Sequence, residues 1–118
     1  MSRAYIAYGY IQALPDDNEF NSEVLVNFPY DADGPFRPAF SLPRRQFRCS
    51  IISFAGCENH LDSDYDSWIA SFESLLSRLR ASNAIVNFDC EDGGDSRSVS
   101  YLSVCHEINV SISSIDVP

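Results

Sequence analysis

The stretch HLDSDYDSWIASFESLL, residues 60–76, decides the fold because it has two incompatible interpretations. In the first, four acids stand at positions 1, 3, 5 and 12 of a calcium-binding loop: Asp62, Asp64, Asp66 and Glu73. In the second, the same residues begin an amphipathic helix. The choice separates a metal-binding protein from an acidic protein with another use.

The apolar residues of this stretch follow the period of a helix. They recur at i, i+3, i+4, i+7 and onward, as Tyr65, Trp68, Ile69, Phe72, Leu75, Leu76 and Leu79. This stripe passes through the calcium loop, and Ser67 stands where such a loop requires glycine. The sequence therefore predicts a helix over residues 62–81, with Asp62 or Ser63 as its N-cap and without calcium.

The segments around this helix have the character of strands. Alternating or β-branched and aromatic residues predict strands at 4–14, 23–28, 47–56 and 83–90, and a change of apolar parity divides 98–117 by a bulge or into two strands. Residues 15–22 predict an acidic turn, and the four prolines of residues 29–46 predict a long irregular segment. The order β-β-β-α-β-β predicts a single α+β domain over residues 1–118, with a mainly antiparallel sheet of about five strands and one helix on one face.

Size and cysteine usage narrow the class further. A chain of 118 residues can bury one core without disulfides or metals. Neither a membrane-spanning apolar run nor a signal-peptide pattern occurs, so we expect a cytoplasmic protein with reduced cysteines. Two Cys/His combinations, Cys57 with His60 and Cys105 with His106, have poor spacing for zinc. No cofactor is expected.

The charge is large and uneven. The net charge is −9, lysine is absent, and residues 36–57 hold four arginines and no acid. An acidic field of this strength repels nucleic acid and anionic membranes and attracts basic proteins. We therefore expect a basic protein partner and no direct contact with nucleic acid or membrane.

Motifs that would indicate an enzyme are missing. The sequence contains no phosphate-binding loop, no dinucleotide fingerprint, no G-x-S-x-G and no H-E-x-x-H. The predicted class is therefore a protein without enzymatic activity. A small enzyme or ligand-binding domain that uses Cys/His chemistry, for example at Cys105 and His106, remains an alternative.

The acids cluster in predicted turns. If loops at one end of the sheet converge, they form one negative face that would accelerate association with a basic target. Aromatic side chains and arginine of the proline-rich loop would then supply buried anchors. The predicted partner-binding residues are Asp16, Asp17, Glu19, Asp31, Asp33, Phe36, Arg37, Phe40, Asp89, Glu91, Asp92 and Asp95.

These features favour a small acidic inhibitor that occludes the basic active or nucleic-acid-binding surface of a partner. Bacterial immunity proteins that neutralise a toxin share this size and charge, which is an analogy and not a motif match. A phage-type inhibitor of host defence (anti-CRISPR-like) is an alternative with the same character. The sequence leaves open whether the acidic turns or the loop from Arg37 to Arg48 form the interface, and it leaves the oligomeric state open.

Overall fold

Seven antiparallel strands form one sheet in this computed structural model, which describes residues 4–30, 36, 38–58, 61–90, 96–104 and 107–113. The strands are β1 (Tyr5–Ala13), β2 (Ala39–Phe40), β3 (Arg44–Gln46), β4 (Cys49–Glu58), β5 (Asn83–Cys90), β6 (Ser96–Val104) and β7 (Glu107–Ser113). The helices are α1 (Asn18–Asn27) and α2 (Leu61–Arg78). The predicted α+β class with an antiparallel sheet is confirmed, with more strands and one more helix than expected.

The central strand is β1, which pairs with β4 on one side and with β5 on the other. The strand order is β2-β4-β1-β5-β6-β7, and β3 also pairs with β4. At one end of the sheet Tyr5 lies opposite Glu58 and Cys90, and at the other end Ala13 lies opposite Ser50. We call these the Tyr5 end and the Ala13 end.

Helix α2 provides most of the helical side of the core. Trp68, Phe72 and Leu75 are fully buried, and the ring of Trp68 lies 5.0 Å from that of Phe88 on β5. The predicted helix is confirmed, and its continuous course excludes the calcium loop. It begins at Leu61, so the two predicted caps lie inside its first turn, and the residue before it lies outside the described part of the chain. Neither described helix is long and apolar enough to cross a bilayer.

Helix α1 replaces a predicted strand. Residues 23–28 alternate as a strand would, but the structure places most of them in a helix that follows a 3₁₀ turn at Pro15–Asp17. Asn21, Leu25 and Phe28 are buried at i, i+4 and i+7, which is the helical period. Asn21 fixes the helix by exchanging two hydrogen bonds with the backbone of Arg80, at 2.9 and 3.2 Å. The strand prediction was wrong because these tertiary contacts outweigh local alternation.

Two other predictions concern residues 29–46 and residues 98–117. The segment 29–46 was expected to be irregular throughout, yet it contributes the edge strands β2 and β3, both paired with β4. The predicted division of residues 98–117 is confirmed, because β6 and β7 are separate strands in an antiparallel pair.

Tyr101 connects the sheet to α2 through an acid. Its hydroxyl donates a hydrogen bond to the Glu73 carboxylate at 3.2 Å, and the ring is buried. Burial, and then the adjacent negative charge of Glu73, raises the pKa of Tyr101 well above its ordinary value. Burial likewise raises the pKa of Tyr65 and of Tyr30.

The raised pKa values of these tyrosines predict that the protein loses stability at alkaline pH. A folded protein that binds a tyrosine proton more tightly than the unfolded chain does gains stability from this difference. The gain is complete below about pH 10 and is lost progressively above that pH. We expect Tyr101→Phe to flatten this decline because the phenylalanine cannot ionise. Urea unfolding from about pH 8 to pH 11 measures the effect. An identical decline in both proteins would show that Tyr101 does not titrate on unfolding.

Candidate protein-binding site

One face of the sheet carries no helix in the described part of the chain. Both helices belong to a single core cluster on the opposite face, where β1 contributes Tyr5, Ala7 and Ile11. The alternate residues of β1 therefore point away from the core. Among them Tyr8 is 38% exposed and Tyr10 is 42% exposed, unusually high values for aromatic side chains in a central strand. We call this surface the open sheet face.

Neighbouring strands continue the open sheet face with small polar and apolar residues. Tyr10 lies opposite Ser53 on β4 and opposite Ile85 on β5. Further along β5, Asn87 accepts a 2.6 Å hydrogen bond from the hydroxyl of Ser98. Tyrosine, serine and asparagine dominate antibody paratopes, because tyrosine gives large contact area at low entropic cost and the polar residues adapt their hydrogen bonds. The tyrosine, serine and asparagine residues of the open sheet face are of the types enriched in such surfaces.

The open sheet face also carries an acid, Asp89, near the Tyr5 end. The hydroxyl of Tyr8 donates a hydrogen bond to Asp89 at 2.7 Å. This bond, followed by desolvation and the negative charge of Asp89, raises the pKa of Tyr8. Tyr8 therefore stays neutral and holds the carboxylate on the open sheet face, where Asp89 lies opposite Ile6.

The predicted acids do not all lie on one side of the molecule. Asp16 and Glu19 follow β1 at the Ala13 end, whereas Asp89 lies near the Tyr5 end. The seven residue-to-residue steps from Ile6 to Ala13 span about 23 Å along an extended strand. Asp17 also has a partner within the chain, Arg80, at 3.6 Å. The described acids therefore lie at two ends of the sheet and do not form the single negative face that was expected.

Of the predicted anchors in the proline-rich loop, one lies in the core and another is half-buried. Phe36 is 1% exposed and lies in the core, so it is not the exposed anchor that the sequence suggested. Phe40 is half-buried, and its ring packs against that of Phe54 at 5.3 Å. Five other predicted contacts lie outside the described residues: Asp31, Asp33, Glu91, Asp92 and Asp95. The same holds for Arg37.

The arginine-rich segment forms a hairpin at the Ala13 end. Gln46 pairs with Cys49, which leaves Phe47 and Arg48 as a two-residue turn between β3 and β4. Phe47 is 84% exposed and has a φ of 59°, a left-handed conformation that such turns usually give to glycine or asparagine. The guanidinium of Arg48 lies 5.3 Å from the centre of the Phe47 ring.

The described residues include three of the four cysteines and neither histidine. Cys49, Cys57 and Cys90 are free thiols, and Cys57 lies exposed on the open sheet face opposite Ile6. The described residues contain no group of three or more His, Cys, Asp or Glu side chains arranged to hold a metal. The remaining predicted residues of this chemistry, His60, Cys105 and His106, lie outside the described part.

Sequence reasoning missed the open sheet face. The signal was present in β1, where Ile6, Tyr8 and Tyr10 alternate with the core positions, so both faces of the strand are apolar. With helices on one face only, the second apolar set has no cover within the described chain. Comparison with known proteins adds no candidate, because no family model, curated protein or solved structure matches this chain.

Proposed function

We propose that this chain is a protein-binding inhibitor that lays its open sheet face on a basic surface of a partner and blocks access to it. The observation that carries this proposal is the pair of exposed tyrosines, Tyr8 and Tyr10, on the central strand. Exposed aromatic residues in a flat, well-ordered surface are favoured at protein interfaces, since they bury large areas without much loss of entropy.

Charge supplies the preference for a basic partner. The chain carries a net charge of −9, and Asp89 stands on the open sheet face beside Tyr8. Such a field draws a cationic protein into encounter and opposes nucleic acid on the same surface. A nucleic-acid-handling enzyme or a toxin with a basic active surface is the kind of partner that fits. Toxin immunity and inhibition of host defence are both compatible with this binding mode, and the identity of the partner would distinguish them.

A photo-crosslinker placed on the open sheet face should capture the partner. A photo-crosslinking residue at position 10, introduced in the native host, should capture one basic protein. The same residue at position 26 is the matched control, because Val26 is 72% exposed but lies on α1. The captured protein, once purified, should lose its activity when this chain is added. Equal capture from both positions, or no effect on activity, would refute the proposal.

Charge reversal tests which acids steer the encounter. Replacing Asp89 with lysine, alone or together with Glu91 and Asp92, should slow association about tenfold at low salt and flatten its salt dependence. Reversal of Asp16 and Glu19 is the matched control, because they follow β1 at the Ala13 end, the opposite end of the strand from Asp89. Stopped-flow association with the purified partner measures both. An unchanged on-rate for the Asp89 variant would remove that end of the sheet from the interface.

A further inference from the structure

The β3–β4 hairpin presents an aromatic side chain at a cost in stability. A phenylalanine at φ 59° is strained, because only glycine and, less often, asparagine adopt this region without penalty. Its ring is 84% exposed, so burial within the chain does not compensate for the strain. A residue that is both strained and exposed indicates a contact outside the chain.

The hairpin also carries several positive charges, although the protein is acidic overall. Arg44, Arg45 and Arg48 are exposed and form no ion pair with a described carboxylate. Arg45 instead donates a hydrogen bond to the Phe47 carbonyl oxygen at 3.4 Å, and Arg48 lies over the Phe47 ring. The tip is therefore an aromatic knob with a positive rim.

A depression of matching character lies between α1 and the C-terminal end of α2. It has a volume of about 280 Å³ and is lined by Phe20, Glu23, Val24, Asn27, Phe28 and Arg78. We call it the α1–α2 pocket. A cavity of about 150 Å³ holds a benzene ring, so this pocket has room for the side chain of a phenylalanine. Phe20, Val24 and Phe28 give it an apolar lining, the guanidinium of Arg78 lies 5.0 Å from the centre of the Phe28 ring, and Glu23 is exposed at the rim.

The hairpin and the pocket lie at the same end of the sheet. The hairpin turn follows Gln46 and Cys49 beyond the Ala13 end. The chain leaving α2 is held at that end by a 2.7 Å hydrogen bond from Ser82 N–H to the Gln12 carbonyl oxygen. A dimer in which each molecule placed its hairpin on the pocket of the other would be closed and two-fold symmetric.

We infer that this chain forms a homodimer in which Phe47 of each copy enters the α1–α2 pocket of the other. Charge favours this occupant, because two exposed acids of α1, Glu19 and Glu23, outnumber Arg78 of the pocket lining and would face the three arginines of the hairpin. The dimer leaves the open sheet face free, so it does not depend on the function proposed above.

Sedimentation velocity from about 1 µM to about 1 mM tests the dimer. The native protein should associate, and high salt should weaken the association because the arginine–carboxylate contacts are screened. Phe47→Gly removes the knob, and Glu23→Arg reverses the charge of the rim. Each should weaken association about tenfold or more, while the folded state persists because both positions are exposed. Val26→Ser, at an exposed position outside the pocket, should change nothing.

Mixing the two defective variants separates a specific contact from general stickiness. In a mixed dimer the intact Phe47 of the Glu23→Arg chain meets the intact pocket of the Phe47→Gly chain, so one complete contact remains. The equimolar mixture should therefore associate more strongly than either variant alone. A protein that stays monomeric to about 1 mM overturns the inference, as does a dimer indifferent to both substitutions or a mixture that recovers nothing.

Discussion

Replacing Phe36 with alanine is expected to lower the free energy of unfolding by about 3–5 kcal/mol, the usual range for deleting a buried aromatic side chain. Phe36 is 1% exposed, and five other rings surround it: Phe28, Tyr30, Phe40, Trp68 and Phe72. The nearest is Trp68, with ring centres 5.0 Å apart in an edge-to-face arrangement. Removing the ring leaves a cavity among rigid neighbours that cannot collapse to fill it.

Phe47→Ala is the matched control for this substitution. Phe47 is the same residue type, but it is 84% exposed, so its loss should change the free energy of unfolding by no more than about 0.5 kcal/mol. Urea unfolding of both variants at neutral pH gives the comparison. A Phe36→Ala variant as stable as the native protein would place this ring outside the core and restore it as a surface anchor.

The helix α2 could be predicted from sequence because its burial is periodic. Trp68, Phe72 and Leu75 repeat at helical spacing over several turns, and acids stand at its start. Helix α1 could not be predicted in the same way, because its residues 23–28 also alternate as in a strand. What selects the helix is the buried amide of Asn21, whose partner lies 59 residues away at Arg80. Contacts of that range are not visible in a local pattern.

The sequence pointed to the acidic turns as the candidate site, whereas the burial pattern points to the open sheet face. Turn acids were expected to converge, but strand β1 separates Asp16 and Asp89 by most of its length. Aromatic residues near prolines were expected to be exposed, yet Phe36 enters the core. The exposed rings lie elsewhere: Tyr8 and Tyr10 on β1, Phe20 on α1 and Phe47 at the hairpin.

Replacing Gly9 with alanine is expected to cost about 3 kcal/mol or more, although only a methyl group is added. Gly9 lies in the middle of β1, opposite Phe54 on β4 and Val86 on β5. A Cβ atom at this position would collide with the carbonyl oxygen of Ile85 and would lie 3.1 Å from the ring of Phe54. The backbone cannot move away, because β1 is hydrogen-bonded to a neighbouring strand on both sides.

Gly56→Ala provides the comparison that isolates this effect. Gly56 lies on β4, and the nearest atoms to an added Cβ are the Pro38 Cα at 3.1 Å and a side-chain oxygen of Glu58 at 3.4 Å. Pro38 precedes the two-residue edge strand β2, which can shift by a few tenths of an ångström, so we expect a cost below about 1 kcal/mol. Thermal and urea unfolding of the two variants should therefore differ clearly. Equal stability of the two variants would mean that β5 does not approach β1 as closely as the register requires. The two exposed tyrosines would then lose the rigid support on which a flat binding surface depends.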